Sequence, residues 1–183
     1  KSTLLRVLAE VDKNYTGSFK LGSGVKVGYF SQDSAESIKG SETILERLEN
    51  HAPLELIPRL RDMLGAFLFR GDDVFKSIDV LSGGEKSRIA LLELLLRPVN
   101  LLILDEPTAQ LDPISAERFI SSVLKLNRES GITIIISEHR TEELLPLCDK
   151  LIIIENGEIF LQGSPAEIIP KISPENNFYH SIP

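Results

Sequence analysis

Two short stretches of this chain have residue types suited to phosphate chemistry: Leu81-Ser82-Gly83-Gly84-Glu85-Lys86 and Leu101-Leu102-Ile103-Leu104-Asp105-Glu106-Pro107. In the first, a serine and two glycines stand directly ahead of an apolar helical run. Free N–H groups at a helix N-terminus, with the helix dipole behind them, receive a phosphate. In the second, two carboxylates end a four-residue apolar strand, where they can hold a metal and a water. About one helix and one turn separate the two, so both belong to one α/β unit. Together they point to phosphate chemistry on a nucleotide. The same residues also suit plainer roles, an N-cap with a flexible turn and a solvated acidic turn.

Three further positions extend the pattern. Lys1-Ser2-Thr3 heads a helical run and matches the end of the phosphate-loop pattern, whose glycines would lie before residue 1. There Lys1 would bond the β- and γ-phosphates, and Ser2 would give its hydroxyl to Mg²⁺. Gln32 follows an alternating strand and is placed to reach the metal or its water. His139 follows an apolar strand by three residues and suits a donor to the γ-phosphate. Asp105 would support the metal through water and Glu106 would polarise the attacking water. With Lys1 already one phosphate site, a second at Ser82 makes sense if it serves a nucleotide bound to another copy, in a twofold dimer with composite sites. His51 and His180 have no such context.

The elements that must position these residues read off the periodicity. Leu4–Leu8 is a helical run; Val25–Phe30 alternates and predicts a strand. Ser31–Gly40 is a polar loop, and residues 42–69 read as helical with breaks at Pro53 and near Pro58. Arg88–Leu96 is apolar on nearly all faces, hence a buried helix. Leu101–Leu104 is a strand, and Asp112-Pro113 fits an N-cap followed by proline at the first helical position. Ala116, Phe119, Ile120, Val123 and Leu124 line one helix face, Gly131 closes it, and Ile132–Ile136 reads as a strand buried on both faces. A short helix, a strand at Leu151–Ile154, the hairpin signal Asn156-Gly157 and a strand at Ile159–Leu161 follow, the last two strands antiparallel. Alternating strands and helices imply a parallel, doubly wound α/β sheet.

Composition sets bounds. The chain has 183 residues, 42% hydrophobic and 26% charged, ordinary for a soluble globular domain with a real core. Its apolar runs are far shorter than the roughly 18 residues of a membrane span, and no signal peptide is visible. Lys1 begins the chain and Met63 is its only methionine, so the expectation is a piece of something longer. A net charge of −7 argues against non-specific nucleic-acid binding; Arg59, Arg61 and Arg70 are interrupted by Asp62, Asp72 and Asp73 and read as a solvated face. One cysteine, Cys148, excludes an internal disulfide, fits a reducing compartment and reads as a small buried apolar residue. Zinc-ligand spacing is lacking.

The order Lys1-Ser2-Thr3, Gln32, Leu81-Ser82-Gly83-Gly84-Glu85, Asp105-Glu106, Leu111-Asp112, His139 resembles an ATP-binding cassette (ABC) ATPase domain over residues 1 to about 170. The resemblance implies a P-loop NTPase-like fold with its N-terminal part missing, a helical subdomain at about 41–97 and a loose tail at 171–183. It implies ATP and Mg²⁺ clamped between two cassettes, with hydrolysis driving a partner. By motif, Lys1, Ser2 and Thr3 match the Walker A end, Gln32 the Q-loop, and Ser82, Gly83 and Gly84 the signature. Asp105 matches Walker B, Glu106 the catalytic carboxylate, Asp112 the D-loop and His139 the switch histidine. Ser2, Gln32 and Asp105 would face the metal.

The two halves resemble different branches. Tyr29-Phe30-Ser31-Gln32 and Leu64 through Lys76 resemble the F family, soluble twin-cassette proteins that often act on ribosomes. Ala109-Gln110-Leu111-Asp112-Pro113, Ser137-Glu138-His139-Arg140 and Gly157 through Pro165 resemble the energy-coupling ATPase subunits of membrane importers. The chain is therefore either a natural mosaic or an artificial junction near Glu106–Ala109. The resemblance implies a cytoplasmic protein, or a peripheral one on the cytoplasmic face of a membrane. Its partner is then a second cassette together with a ribosome or an importer complex. A non-catalytic partial cassette is the remaining alternative.

Overall fold

A computed structural model of the chain describes residues 1–109, 111–139 and 144–172. Gln110, Arg140, the rest of 140–143 and the tail from 173 lie outside the described residues. The chain forms two compact units, Ser2–Glu138, and Lys1 with His139–Pro183.

The larger unit holds a three-stranded parallel sheet in the order β1 (Val27–Phe30), β2 (Leu101–Asp105), β3 (Thr133–Ser137). Register pairs Phe30 with Leu104 and Leu104 with Ile136, so the three strands end level with one another. Strand residues alternate between faces. Gly28, Phe30, Leu102 and Leu104 share the face against which α4 (Gly83–Leu95) and α5 (Pro113–Ser130) pack. Phe30 meets Phe119 of α5 with ring centroids 5.6 Å apart. A Cβ on Gly28 would stand 3.0 Å from Val99 Cγ1 and 3.2 Å from Leu94 Cγ, so glycine lets the end of α4 approach the strand. Tyr29, Ile103 and Asp105 share the opposite face, toward α1 (Ser2–Leu8). Helices on both faces make the doubly wound α/β arrangement that the alternation implies.

Between β1 and α4 lies the helical stretch, α2 (Ile44–His51) and α3 (Leu60–Ala66) with short 3-10 turns. Thr43 caps α2, accepting from Glu46 N at 3.2 Å while Glu46 Oε2 accepts from Thr43 N at 2.8 Å; such reciprocal caps satisfy two otherwise orphan donors. Pro53 follows the end of α2 and Pro58 lies in the turn before α3, where both breaks are expected. Arg47 pairs with Glu93 of α4 and with Glu42, tying this stretch to the longer helix. In α4 every residue from Ser87 to Leu92 is buried, as expected of an all-round apolar helix. Arg88 is within it, its guanidinium 5.1 Å from the Phe69 ring centroid and its pKa lowered by burial.

Three expectations are corrected. The first strand begins at Val27, because Val25 N closes a turn onto Gly22 O and Lys26 N is held by Asn100 Oδ1. The polar loop after it opens with a 3-10 turn at Gln32–Ser34, closed by Ser31 N donating to Ser34 Oγ at 2.9 Å. β3 is half-buried, with Thr133 exposed, rather than buried on both faces. Among the described residues it hydrogen-bonds only to β2, which leaves its other edge and flanks more open.

The smaller unit contains an antiparallel hairpin, β4 (Leu151–Glu155) and β5 (Glu158–Gly163), then the short α6 (Pro165–Ile168). Asn156 and Gly157 have φ of 49° and 85°, the left-handed pair that a two-residue hairpin turn requires. Cys148 is half-buried rather than fully buried, because it sits just after a 3-10 turn at Leu145–Leu147, its thiol directed to Leu145 O at 3.5 Å.

Candidate functional site

Ser2 and Asp105 are 103 positions apart in sequence, yet Ser2 Oγ donates to Asp105 Oδ1 at 3.1 Å. Asp105 ends β2, where alternation turns its side chain to the α1 face; it is only 6% exposed. Its second oxygen, Oδ2, accepts from the Tyr29 hydroxyl at 3.2 Å. Burial, then the negative charge of Asp105 and this hydrogen bond, push the Tyr29 pKa up to about 12. In the sequence Tyr29 shows only as part of the Tyr29-Phe30-Ser31-Gln32 motif, with no sign of a place at the carboxylate. Its place in an alternating strand is visible there, but that this strand neighbours Leu101–Asp105 is a matter of topology.

Glu106 is half-buried and has φ of +48°. A non-glycine residue held in the left-handed region costs on the order of 1–3 kcal/mol and persists where its surroundings over-determine it. Here Glu106 N donates to Ser137 O at 2.9 Å and Ala109 N to Glu106 O at 3.1 Å. Next to it, Thr108 is buried and donates from both N and Oγ1 to Glu138 Oε1, at 2.8 and 2.7 Å.

Gln32 stands two residues past Phe30, as Glu106 stands two past Leu104, so the register puts their backbones at one edge of the sheet.

Ser82 is the N-cap of α4: its Oγ accepts from Glu85 N at 3.3 Å, while Glu85 Oε2 accepts from Ser82 N at 2.9 Å. Burial pushes the Glu85 pKa up, but the bonds from Ser82 and then the charge of Lys76, 3.6 Å away, outweigh it and leave the pKa lowered. The two glycines differ. A Cβ on Gly84 would lie 3.1 Å from Ser115 Cβ and Oγ, whereas one on Gly83 would meet nothing within 4 Å. Gly84 therefore eases the close approach of α4 to α5, whereas among the described residues nothing crowds Gly83. Asp112 caps α5, its Oδ1 accepting from Ser115 N at 3.1 Å; the Ser115 hydroxyl, and then this backbone bond, lower its pKa. Ser115 thus links the N-termini of α4 and α5, bringing Gly84 and Asp112 together. Among the described residues, no hydrogen bond joins Ser82, Gly83 or Gly84 to Ser2 or Asp105. Thr3 is exposed in the first turn of α1. Lys1 and His139, both exposed, belong to the smaller unit.

The donor set at Ser2 and Asp105 fits a hard divalent cation. A hydroxyl and a buried carboxylate held 3.1 Å apart are the hard oxygen donors that Mg²⁺ takes, Ser2 to the ion and Asp105 through a water. Among the described residues no cluster of three or more His, Cys, Asp and Glu is assembled. Mg²⁺ sites commonly take one or two carboxylates and complete the shell with phosphates and water.

Comparison with known proteins gives a consistent result. A family described as "ABC transporter" matches residues 1–109. A putative ABC transporter ATP-binding protein of Bacillus cereus is 40% identical over 131 residues, 72% of this chain and 24% of that protein, so the chain spans about a quarter of its relative's length. Among solved structures, cbiO1 from Clostridium perfringens, described as part of the ABC transporter complex cbiONQ, aligns with a TM-score of 0.66 and 27% identity. That alignment covers 84% of this chain and 62% of that one. The dimeric structure of MJ0796, a bacterial ABC transporter cassette, aligns with a TM-score of 0.70 over 90% of this chain and 80% of that one; at 21% identity it speaks for the fold.

Proposed function

This chain belongs to the ABC transporter family of ATPase domains, and from that premise we propose that it binds Mg²⁺ and ATP and hydrolyses the nucleotide to ADP and phosphate, paired head-to-tail with a second cassette. The observation that carries the reading is the Ser2–Asp105 hydrogen bond at the end of β2. It brings a hydroxyl and a buried carboxylate from distant parts of the sequence together as hard oxygen donors. Bound Mg²⁺ neutralises charge on the phosphate oxygens.

The chain's own residues divide the work. Ser2 and Asp105 hold the cation, with Gln32 at the same edge to reach it or its water. Glu106 accepts the proton of the attacking water. Lys1 and Thr3 bind the nucleotide's phosphates, and His139 donates to the γ-phosphate; these three roles rest on the motif resemblance. Ser82, Gly83 and Gly84 present their N–H groups to a nucleotide carried by the second cassette, with Asp112 beside them. The open space at Gly83 supports that outward-facing role.

Replacing Glu106 by Gln in the full-length gene product keeps shape and hydrogen bonding but removes the proton acceptor. Turnover is expected to fall by roughly 10²-fold or more with ATP binding retained. Near-normal steady-state hydrolysis overturns the assignment, and with it the catalytic reading.

For the partner, the F-family character of residues 29–76 favours a ribosome and a cytoplasmic setting. A second reading, the ATPase subunit of a membrane importer at the cytoplasmic face, is favoured by the likeness to cbiO1. Among the described residues no helix is long and apolar enough to cross a membrane. Sedimentation of Glu106→Gln with ribosomes, beside co-purification with membranes, each with and without ATP, separates the two. Recovery only with a membrane complex sinks the ribosomal reading.

A further inference from the structure

We propose that Glu138 is a positioning residue for Glu106, acting through Thr108 as a clamp on the turn that leaves β2; the catalytic part of this inference rests on the ATPase reading above.

The turn holds a strained residue. Glu106 is neither glycine nor asparagine, yet it sits at φ +48°, and such a conformation lasts only where neighbours fix it. Two of the fixing bonds are backbone bonds, Glu106 N to Ser137 O and Ala109 N to Glu106 O. A further pair of bonds comes from a side chain: Glu138 Oε1 accepts both the N–H and the hydroxyl of Thr108 at 2.8 and 2.7 Å. Thr108 is 3% exposed, so its N–H has little access to water as a substitute. Hydrogen bonds to an ionised acceptor are short and strong, and a buried donor left without its partner is costly. Glu138 follows directly on β3, so it is carried by the sheet itself. The clamp therefore references the turn, and the carboxylate of Glu106 with it, to a rigid strand.

Both bonds to Thr108 use one oxygen of Glu138 as acceptor, a geometry that an amide carbonyl reproduces. In the full-length gene product, Glu138→Ala is expected to lower kcat for ATP about tenfold or more while leaving KM within about twofold. Glu138→Gln should retain at least about a third of the wild-type kcat. Hydrogen exchange supplies a readout that needs no nucleotide: the Thr108 amide should exchange at least about tenfold faster in Glu138→Ala and stay protected in Glu138→Gln, with the Leu102–Leu104 amides protected in both. Unchanged Thr108 exchange in Glu138→Ala overturns the clamp, whether or not turnover is detected. Loosened exchange with wild-type kcat overturns the positioning role, as does a Gln variant as impaired as Ala. Loss of protection across β2 in Glu138→Ala assigns Glu138 to general stability and likewise overturns it. If Glu106→Gln still turns over normally, the fault lies with the catalytic assignment, and Thr108 exchange still decides the clamp.

Discussion

Gly83 and Gly84 are neighbours in one motif, and the structure gives them opposite sensitivities to a methyl group. A Cβ on Gly84 meets Ser115 Cβ and Oγ at 3.1 Å and Leu111 Cδ2 at 3.6 Å, while one on Gly83 meets nothing within 4 Å. The Ser115 hydroxyl can rotate away, but its Cβ cannot, so relief requires α4 and α5 to separate by a few tenths of an ångström. Overpacking of this kind costs about 1–3 kcal/mol. The small overlap places Gly84→Ala in the lower half of that range, about 1–2 kcal/mol, and moving Ser115 also loosens its bond to Asp112. For amides that exchange through local opening of α4, this corresponds to roughly five- to thirtyfold faster exchange, since about 1.4 kcal/mol is tenfold. The assay is native-state hydrogen exchange at Ile89–Leu92 in the full-length gene product, which requires no single unfolding transition. Gly83→Ala should leave those rates within about twofold and yet weaken ATP-dependent pairing of cassettes, because it stands exposed at the N-terminus of α4 where the second cassette's nucleotide would dock. Equal acceleration by both variants, or none by Gly84→Ala, refutes the packing argument. A Gly83→Ala protein that pairs normally refutes the outward role.

Two other expectations test packing and reactivity. Phe119 is fully buried against Phe30, so Phe119→Ala should destabilise the larger unit by about 3–5 kcal/mol, seen as loss of exchange protection throughout β1 and β2; a loss confined to α5 would contradict a shared core. Burial pushes the Cys148 thiol up from its ordinary pKa, so at pH 7–8 it should react with a maleimide more slowly than a free thiol, with the rate still climbing above pH 9. Mass spectrometry of the labelled peptide measures this, and a rate matching free cysteine refutes it.

Much of this protein is written locally. Asp112-Pro113 announces the start of α5, because aspartate accepts from the first-turn N–H groups and proline needs no donor there. Gly131, at φ +63°, ends the same helix, and Asn156-Gly157 turns the last hairpin. Chemistry of that kind depends on a few adjacent residues, so it survives being read one residue at a time. The phosphate-type motifs are legible for the same reason. What tertiary structure alone decided is which distant groups meet. That Ser2 reaches Asp105, and that Tyr29 takes the other oxygen of that carboxylate, follows from β1 lying beside β2 and from the face to which alternation turns each side chain. The half-open state of β3 depends on its neighbours; an isoleucine run reads the same with one hydrogen-bonded partner or two. Gly84 and Gly83 are identical letters, separated only by the presence of Ser115 beside one of them. Glu138, which in sequence is only a departure from a familiar pattern, becomes a clamp because the parallel register carries it to Thr108, 30 residues away in the chain.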